Sequence, residues 1–258
     1  MNNPEARRQD DAGEVMGFFE HIDQLRRRIL LALIALVIAS IVAAFLTPGA
    51  LNFLLEPYCV SVAPSDGDCR LTTISPTESV GTYVRVTLTV GAILAMPMIL
   101  YQLWAFVSPG LHPNERRYAY LFVPGATILF LVGVTFAWGM MLPAAIGFLS
   151  TFEEGIFRVD WRSNEYIPFV TSLLFWIGVS FEMPLVFLVL ARLGLLSAPQ
   201  LIGGWRYAIV IIAVAAAVIT PTPDPFNMAL VMAPLLVLYV VSIGLAAFGG
   251  AWRRRGDG

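Results

Sequence analysis

Lysine is absent from this 258-residue sequence, in which all 16 basic residues are arginine. Without lysine the chain cannot form a Walker A phosphate site or a Schiff base. Histidine and cysteine are scarce, with two of each, and neither His21 nor His112 lies in a long apolar run. These absences exclude a bis-histidine haem inside a helical bundle and an H-E-x-x-H zinc protease.

Other absences also argue against an enzyme. No G-x-S-x-G nucleophile motif is present, and the fourth and sixth apolar runs lack the paired aspartates of an aspartyl protease. Charged residues make up only 13% of the chain, whereas soluble domains carry about 25%. The net charge of −2 gives no indication of nucleic-acid binding. We therefore expect no catalytic activity, no cofactor, no metal and no nucleic-acid partner.

Long apolar runs dominate what is present. Runs of about 20 apolar residues indicate transmembrane helices, and six are found, at residues 29–46, 81–100, 119–142, 167–190, 205–219 and 226–248. The predicted fold class is all-α, a polytopic membrane protein with six transmembrane helices. An amphipathic arm (1–28) precedes the helical domain (29–248), and a basic tail (249–258) follows it. The fifth run is short, because about 15 residues reach only about 22 Å of a roughly 30 Å hydrocarbon core.

The arginines are distributed unevenly between the two predicted sides. With the N-terminus inside, twelve arginines fall on inner segments and four on outer ones, namely Arg70, Arg85, Arg158 and Arg162. Positive charge favours the cytoplasmic side. Both termini are therefore predicted to be cytoplasmic.

The N-terminal arm is amphipathic between residues 14 and 29. Its apolar residues recur at three- and four-residue spacing, which places them on one helical face: Val15, Phe18, Phe19, Ile22, Leu25 and Ile29. Two interpretations remain open. Arg26–Arg28 would hold an interfacial helix on anionic lipid, or the polar face would recognise a peptide.

The segment between the second and third runs, residues 101–117, combines aromatic residues and prolines with one carboxylate, Glu115. Trp104 and Phe106 would serve as interfacial anchors in the simplest interpretation. Asn114 would then cap the third helix, with Glu115 favourably placed in its first turn. The alternative is that Glu115 faces a ligand.

Two further carboxylates stand in or beside the apolar runs. Glu182 interrupts the fourth run and is followed by Pro184. Because a charge near the bilayer centre costs about 2.5–3.5 kcal/mol on insertion scales, we expect Glu182 to face protein, water or a partner. It would be either a functional group or a protonated acid that only packs. In the proline-rich turn at 220–226, Asp224 is predicted to cap the sixth helix.

Both cysteines, Cys59 and Cys69, fall between the first and second runs. That segment lies on the predicted outer side, which is oxidising in many bacteria. A disulfide there would contribute roughly 3 kcal/mol in the chain-entropy account. We expect this disulfide, with two free thiols as the alternative.

Five ordered motifs resemble those of TatC, the integral membrane subunit of the twin-arginine protein translocase. They are His21–Arg28 (H-I-D-Q-L-R-R-R), Ser75–Glu78 (S-P-T-E), Tyr101–Arg116, Phe181–Pro184 (F-E-M-P) and Thr220–Asp224 (T-P-T-P-D). The resemblance extends over about residues 18–247 and matches the six-run topology. The chain departs from the family at Gln24, where glutamate is usual, at Asn227 and Met228, where Ser-Gln is usual, and at Val240, where glutamate is common.

The resemblance implies a concave, glove-like fold in the inner membrane of a prokaryote. The implied function is a receptor for signal peptides that carry two consecutive arginines on folded export substrates. Transport would be powered by the proton-motive force, with TatA and TatB single-span proteins, other copies of this chain and the lipid bilayer as partners.

The resemblance also implies roles for individual residues. The signal-peptide surface would comprise Glu115, Gln24, Asp23, Arg26 and Phe106. Glu182 would contact partner helices. Pro57 and Asp224 match positions tied to assembly or to later transport steps.

A second function class is a secondary transporter in which Glu182 carries a proton. Such transporters usually contain internal repeats with broken helices at corresponding places. The Glu-Met-Pro of the fourth run has no counterpart in the first half of this sequence. The missing repeat favours the translocase interpretation.

Overall fold

Helices form nearly all of the described chain. The computed structural model describes the backbone of residues 4–61, 70–107, 119–152, 161–220 and 224–256, and the side chains of 22–60, 70–106, 122–152, 161–220 and 224–250. The helices are α1 (Pro4–Ser61), α2 (Glu78–Val107), α3 (Ala119–Phe136), α4 (Leu142–Thr151), α5 (Ser163–Ser180), α6 (Met183–Arg192), α7 (Ala198–Gly203), α8 (Trp205–Ile219) and α9 (Pro225–Gly256). A π-helical segment, Ala137–Met141, joins α3 to α4. The all-α prediction is confirmed.

Five helical stretches are long and apolar enough to cross a membrane. They are Ile22–Val60, Glu78–Phe106, Phe122–Thr151, Ser163–Arg192 and Pro225–Gly250. The apolar helix α8 is shorter, and its 15 residues begin and end where the sequence predicts. Large apolar side chains such as Ile41 and Phe45 are 61% and 84% exposed, as expected for lipid-facing positions. The chain is a multi-pass membrane protein.

Helix α1 extends further than predicted, from the N-terminal arm through to Ser61. The sequence interpretation ended the first span near residue 46, before Pro48. Proline lacks an N–H, so the carbonyl four residues earlier loses its helical donor. Here the Tyr83 hydroxyl on α2 donates to the Ala44 carbonyl oxygen at 2.7 Å. This replacement hydrogen bond accounts for a helix that continues past the proline.

The fourth apolar run forms one candidate span, Ser163–Arg192, which a short turn divides into two helices. Helix α5 ends at Ser180 and α6 begins at Met183. In the intervening turn, the Phe181 N–H donates to the carbonyls of Ile177 and Gly178 at 3.1 and 3.2 Å. Pro184 falls in the first turn of α6, where its missing N–H removes no helical hydrogen bond. The proline therefore starts a new helix.

Small residues allow neighbouring helices to approach closely. Lipid tails are as apolar as core side chains, so membrane helices associate largely through packing at such residues. A methyl group on Gly91 of α2 would lie 2.7 Å from the Ser40 Cα of α1. One on Gly133 of α3 would lie 2.7 Å from the Phe181 ring. The side chains without exposed surface include Phe130, Leu142, Ile146, Ile167 and Ile177.

Candidate functional site

The first and third motifs meet at one end of the bundle. We call this the arginine-rich end, and it is formed by Arg26–Arg28 of α1 and Gln102 of α2. Four predicted signal-peptide residues lie on α1 and α2 near this end of the bundle. They are the exposed Asp23, Gln24 and Arg26 and the half-buried Phe106. Glu115, the fifth, lies outside the described residues.

A hydrogen bond joins the two helices at this end. An Arg28 guanidinium nitrogen donates to the Gln102 Oε1 at 3.0 Å, across 74 residues of sequence. Gln102 is only 4% exposed, and its amide nitrogen lies 3.9 Å from the Met98 sulfur. The sequence analysis did not predict the contact between Arg28 and Gln102, although a buried amide within an apolar helix indicates a polar contact.

The aromatic residues of this end differ in their surroundings. Trp104 is 6% exposed, and its ring stacks on Phe122 of α3 with centroids 4.1 Å apart. Trp104 is thus a packing residue, and its interpretation as an interfacial anchor is wrong. Phe106, two residues later, retains exposed surface beside the exposed polar residues of α1.

The intramembrane carboxylate lies inside the protein. Glu182 is 7% exposed and sits in the turn between α5 and α6. Its Oε1 has no hydrogen-bond partner among the described residues. An unsatisfied buried polar atom is costly, so this oxygen of Glu182 is able to accept a further hydrogen bond.

A second carboxylate organises the opposite end of the bundle, which comprises the start of α2 and the start of α5. Glu78 accepts hydrogen bonds from the backbone N–H groups of Ile74, Ser75 and Asn164 at 3.0, 3.3 and 3.0 Å. The Ser163 hydroxyl lies 3.3 Å from the same carboxylate. These bonds fix the α1–α2 connection against α5. Sequence reasoning treated Glu78 only as part of a motif, although S-x-x-E is a capping pattern.

Two further contacts support this end. Thr72 and Arg162 form an isolated parallel bridge, with the Thr72 N–H donating to the Trp161 carbonyl at 3.2 Å. The Arg162 guanidinium lies 3.8 Å from Glu78 and 3.6 Å from Glu165, whose side chain is 70% exposed. The buried Glu78 and the exposed Glu165 thus share one cation.

The other predicted site residues also lie toward the opposite end. Asp224 caps α9 as predicted, because its carboxylate accepts from the Asn227 N–H at 2.7 Å. Pro57 is half-buried within α1. Cys59 is disulfide-bonded, and Cys69 lies outside the described residues, so their mutual pairing stays a prediction.

Comparison with known proteins places this architecture in a family. Residues 20–234 match the model for the Sec-independent protein translocase protein TatC. The chain is 36% identical over 228 residues to that protein of Deinococcus radiodurans, a match that covers 88% of this chain and 84% of the relative. The chloroplastic protein of Pisum sativum is 37% identical over 237 residues, which cover 92% of this chain and 63% of the relative.

A solved structure agrees with these matches. The crystal structure described as the twin-arginine translocase receptor TatC superposes with a TM-score of 0.80 at 34% identity. The match covers 89% of this chain and 99% of that one. The chain therefore belongs to the TatC family of Sec-independent protein translocase proteins, which are protein-transport components and not enzymes.

Proposed function

We propose that this chain is the receptor of a twin-arginine translocase and binds signal peptides with two consecutive arginines at the arginine-rich end. The observation that carries the proposal is the Arg28–Gln102 hydrogen bond. It joins α1, four residues after Gln24, to α2, four residues before Phe106, which supports a surface that combines polar and aromatic groups. Membership of the TatC family supports the same assignment.

The chemistry of arginine indicates which residues of this surface provide specificity and which provide affinity. A carboxylate binds a guanidinium through two parallel hydrogen bonds, which an ammonium cannot match. An exposed ion pair contributes only about 0–1 kcal/mol, so affinity must come mainly from burying the apolar segment of the peptide. We assign specificity to Glu115 and Asp23, and apolar contact to Phe106.

The proposal includes the membrane arrangement. Helix α8 would be the fifth of six spans, with thinned bilayer around its 15 residues. Both termini would be cytoplasmic, because the arginine-rich end carries Arg26–Arg28 and positive charge favours that side. The proposed domain limits are those of the sequence analysis, at 1–28, 29–248 and 249–258. The helical domain would present a concave surface in the inner membrane of a prokaryote.

Site-directed photocrosslinking tests the receptor assignment. A photoreactive phenylalanine analogue at Phe106 should capture an Arg-Arg signal peptide. Phe152 directly follows α4 and is 60% exposed. The same analogue at Phe152 should capture no peptide. Equal capture at the two positions, or none at Phe106, would contradict the proposed site.

We further propose that Glu182 binds a polar group on a partner helix of the TatA or TatB type. Interhelical hydrogen bonds in membranes contribute about 1 kcal/mol, which is about fivefold in an association constant. Glu182→Ala should therefore lower partner-helix crosslinking about fivefold while peptide capture at Phe106 persists. Unchanged crosslinking, with normal export, would remove this role from Glu182. Pro57 and Asp224 remain proposed assembly positions.

A further inference from the structure

A cavity of about 390 Å³ opens between α1 and α2 at the arginine-rich end. Its lining consists of Gln24, Arg27, Arg28, Leu31 and Ala105. The four α1 residues follow three- and four-residue spacing, so they form one stripe that faces α2. The cavity is therefore a built feature of the helix pair.

The lining contributed by the described residues is cationic and contains no carboxylate. It contains two guanidinium groups, and Gln24 contributes only a neutral amide. Neither Arg27 nor Arg28 pairs with a carboxylate in the part of the chain that the structure describes, where the ion pairs belong to Arg162. Gln102 engages one nitrogen of Arg28, and a guanidinium has five N–H donors. The cavity can thus donate several charge-assisted hydrogen bonds to an anion.

The position of the cavity indicates the kind of anion. Leu31 forms its apolar wall, and the next turns of α1 expose Leu33, Ile34, Val37 and Ile38, each more than half exposed. The cavity therefore lies where an apolar, lipid-facing surface meets a polar helix end. Basic pockets between transmembrane helices at such a depth suit the head groups of anionic lipids.

We propose that this cavity binds the phosphate of one anionic phospholipid, whose acyl chains lie along the exposed apolar face of α1. Arg27 and Arg28 hold the phosphate, and Gln102 orients Arg28. Gln24, which lines this cavity, also belongs to the proposed peptide surface, so the lipid phosphate and the signal peptide would occupy neighbouring parts of the arginine-rich end. The proposal does not depend on the receptor function.

Native mass spectrometry of the purified full chain tests the proposal. The probes are phosphatidylglycerol and phosphatidylcholine with identical acyl chains. Wild-type protein should retain one phosphatidylglycerol in preference to phosphatidylcholine. The double variant Arg27→Gln/Arg28→Gln should bind it about 25-fold more weakly, since each basic residue near an anionic surface contributes about fivefold. Equal retention of both lipids by the wild type would overturn the proposal.

Two controls keep the outcome interpretable. Arg206→Gln removes an exposed arginine beside Trp205, and it should retain phosphatidylglycerol as the wild type does. Arg27→Gln alone leaves the Arg28–Gln102 contact intact and should still weaken retention about fivefold. Undiminished retention in the double variant, or displacement of the lipid by excess inorganic phosphate, would overturn the assignment to a phospholipid. The assay contains no peptide, so its failure is separate from failure of the receptor proposal.

Discussion

Glu78→Ala should destabilise the purified protein by about 3 kcal/mol, because four hydrogen-bonding groups, one of them buried and three partly buried, lose their acceptor together. The carboxylate serves three backbone N–H groups and one hydroxyl, and its own side chain is 3% exposed. Arg162 adds less, since its side chain is 38% exposed and solvent screens the pair. The unfolding midpoint in detergent, followed by intrinsic fluorescence, measures the loss.

The chain offers a matched control for this variant. Glu165 approaches the same Arg162, at 3.6 Å, but its side chain is 70% exposed. Glu165→Ala removes the same charge from the same neighbourhood, and should change stability by no more than about 0.5 kcal/mol. Similar midpoints for the two variants would mean that Glu78 does not clamp the connection between α1 and α2.

Glu115→Gln should weaken binding of an Arg-Arg signal peptide about tenfold, because hydrogen bonds to charged groups contribute about 1.5–3 kcal/mol. Glutamine keeps the shape of the side chain and removes the charge that grips the guanidinium. The measurement is a titration of purified protein with a fluorescent peptide. Unchanged affinity would instead favour the structural interpretation, in which Asn114 caps the third predicted helix and Glu115 lies in the first turn of that helix.

Gln24→Glu is the informative partner of that variant. Gln24 is exposed on α1 and stands where relatives of the family usually carry glutamate. On the Glu115→Gln background, the new carboxylate should recover most of the lost affinity if both positions face the peptide. Glu165→Gln, at the opposite end, removes one negative charge as Glu115→Gln does and should leave the affinity unchanged. A loss as large as that of Glu115→Gln would show that the effect is only one of net charge.

Hydrophobic patterning was sufficient for the helical architecture. An apolar run between Gly203-Gly204 and the proline-rich turn at Thr220 gave both ends of α8, because these residues stop a helix by their own backbone chemistry. The capping of α9 by Asp224 followed from the same local rules. Local signals of this kind need no knowledge of the tertiary structure.

Features that depend on distant residues were not predictable in this way. Helix α1 passes Pro48 because Tyr83, 39 residues beyond Ala44, donates the missing hydrogen bond. Glu78 reaches Asn164 across 86 residues. From sequence alone, Pro48 would be interpreted as a helix breaker and Glu78 as a helix cap. Only the packed structure shows the distant partner that determines the role of each residue.

The candidate site also combines features set by local sequence with features set by distant residues. The motif around Gln24 and Arg26 predicted this part of α1 as a peptide surface, which stays a prediction, and the Gln102 contact that joins α2 to it required the packed structure. The break at Phe181 and Glu182 arose from a turn that hydropathy could not distinguish from a continuous helix. The apolar run around Glu182 already separated it from an ordinary surface acid, and the structure adds that it is only 7% exposed.

Recognition of paired arginines is tested by comparing two signal peptides. Purified protein would be titrated with a signal peptide carrying Arg-Arg and with the same peptide carrying Lys-Lys. We expect about tenfold tighter binding of Arg-Arg, because only guanidinium groups form the two-point contact with a carboxylate. Equal affinity for the two peptides, or no binding of either, would contradict it.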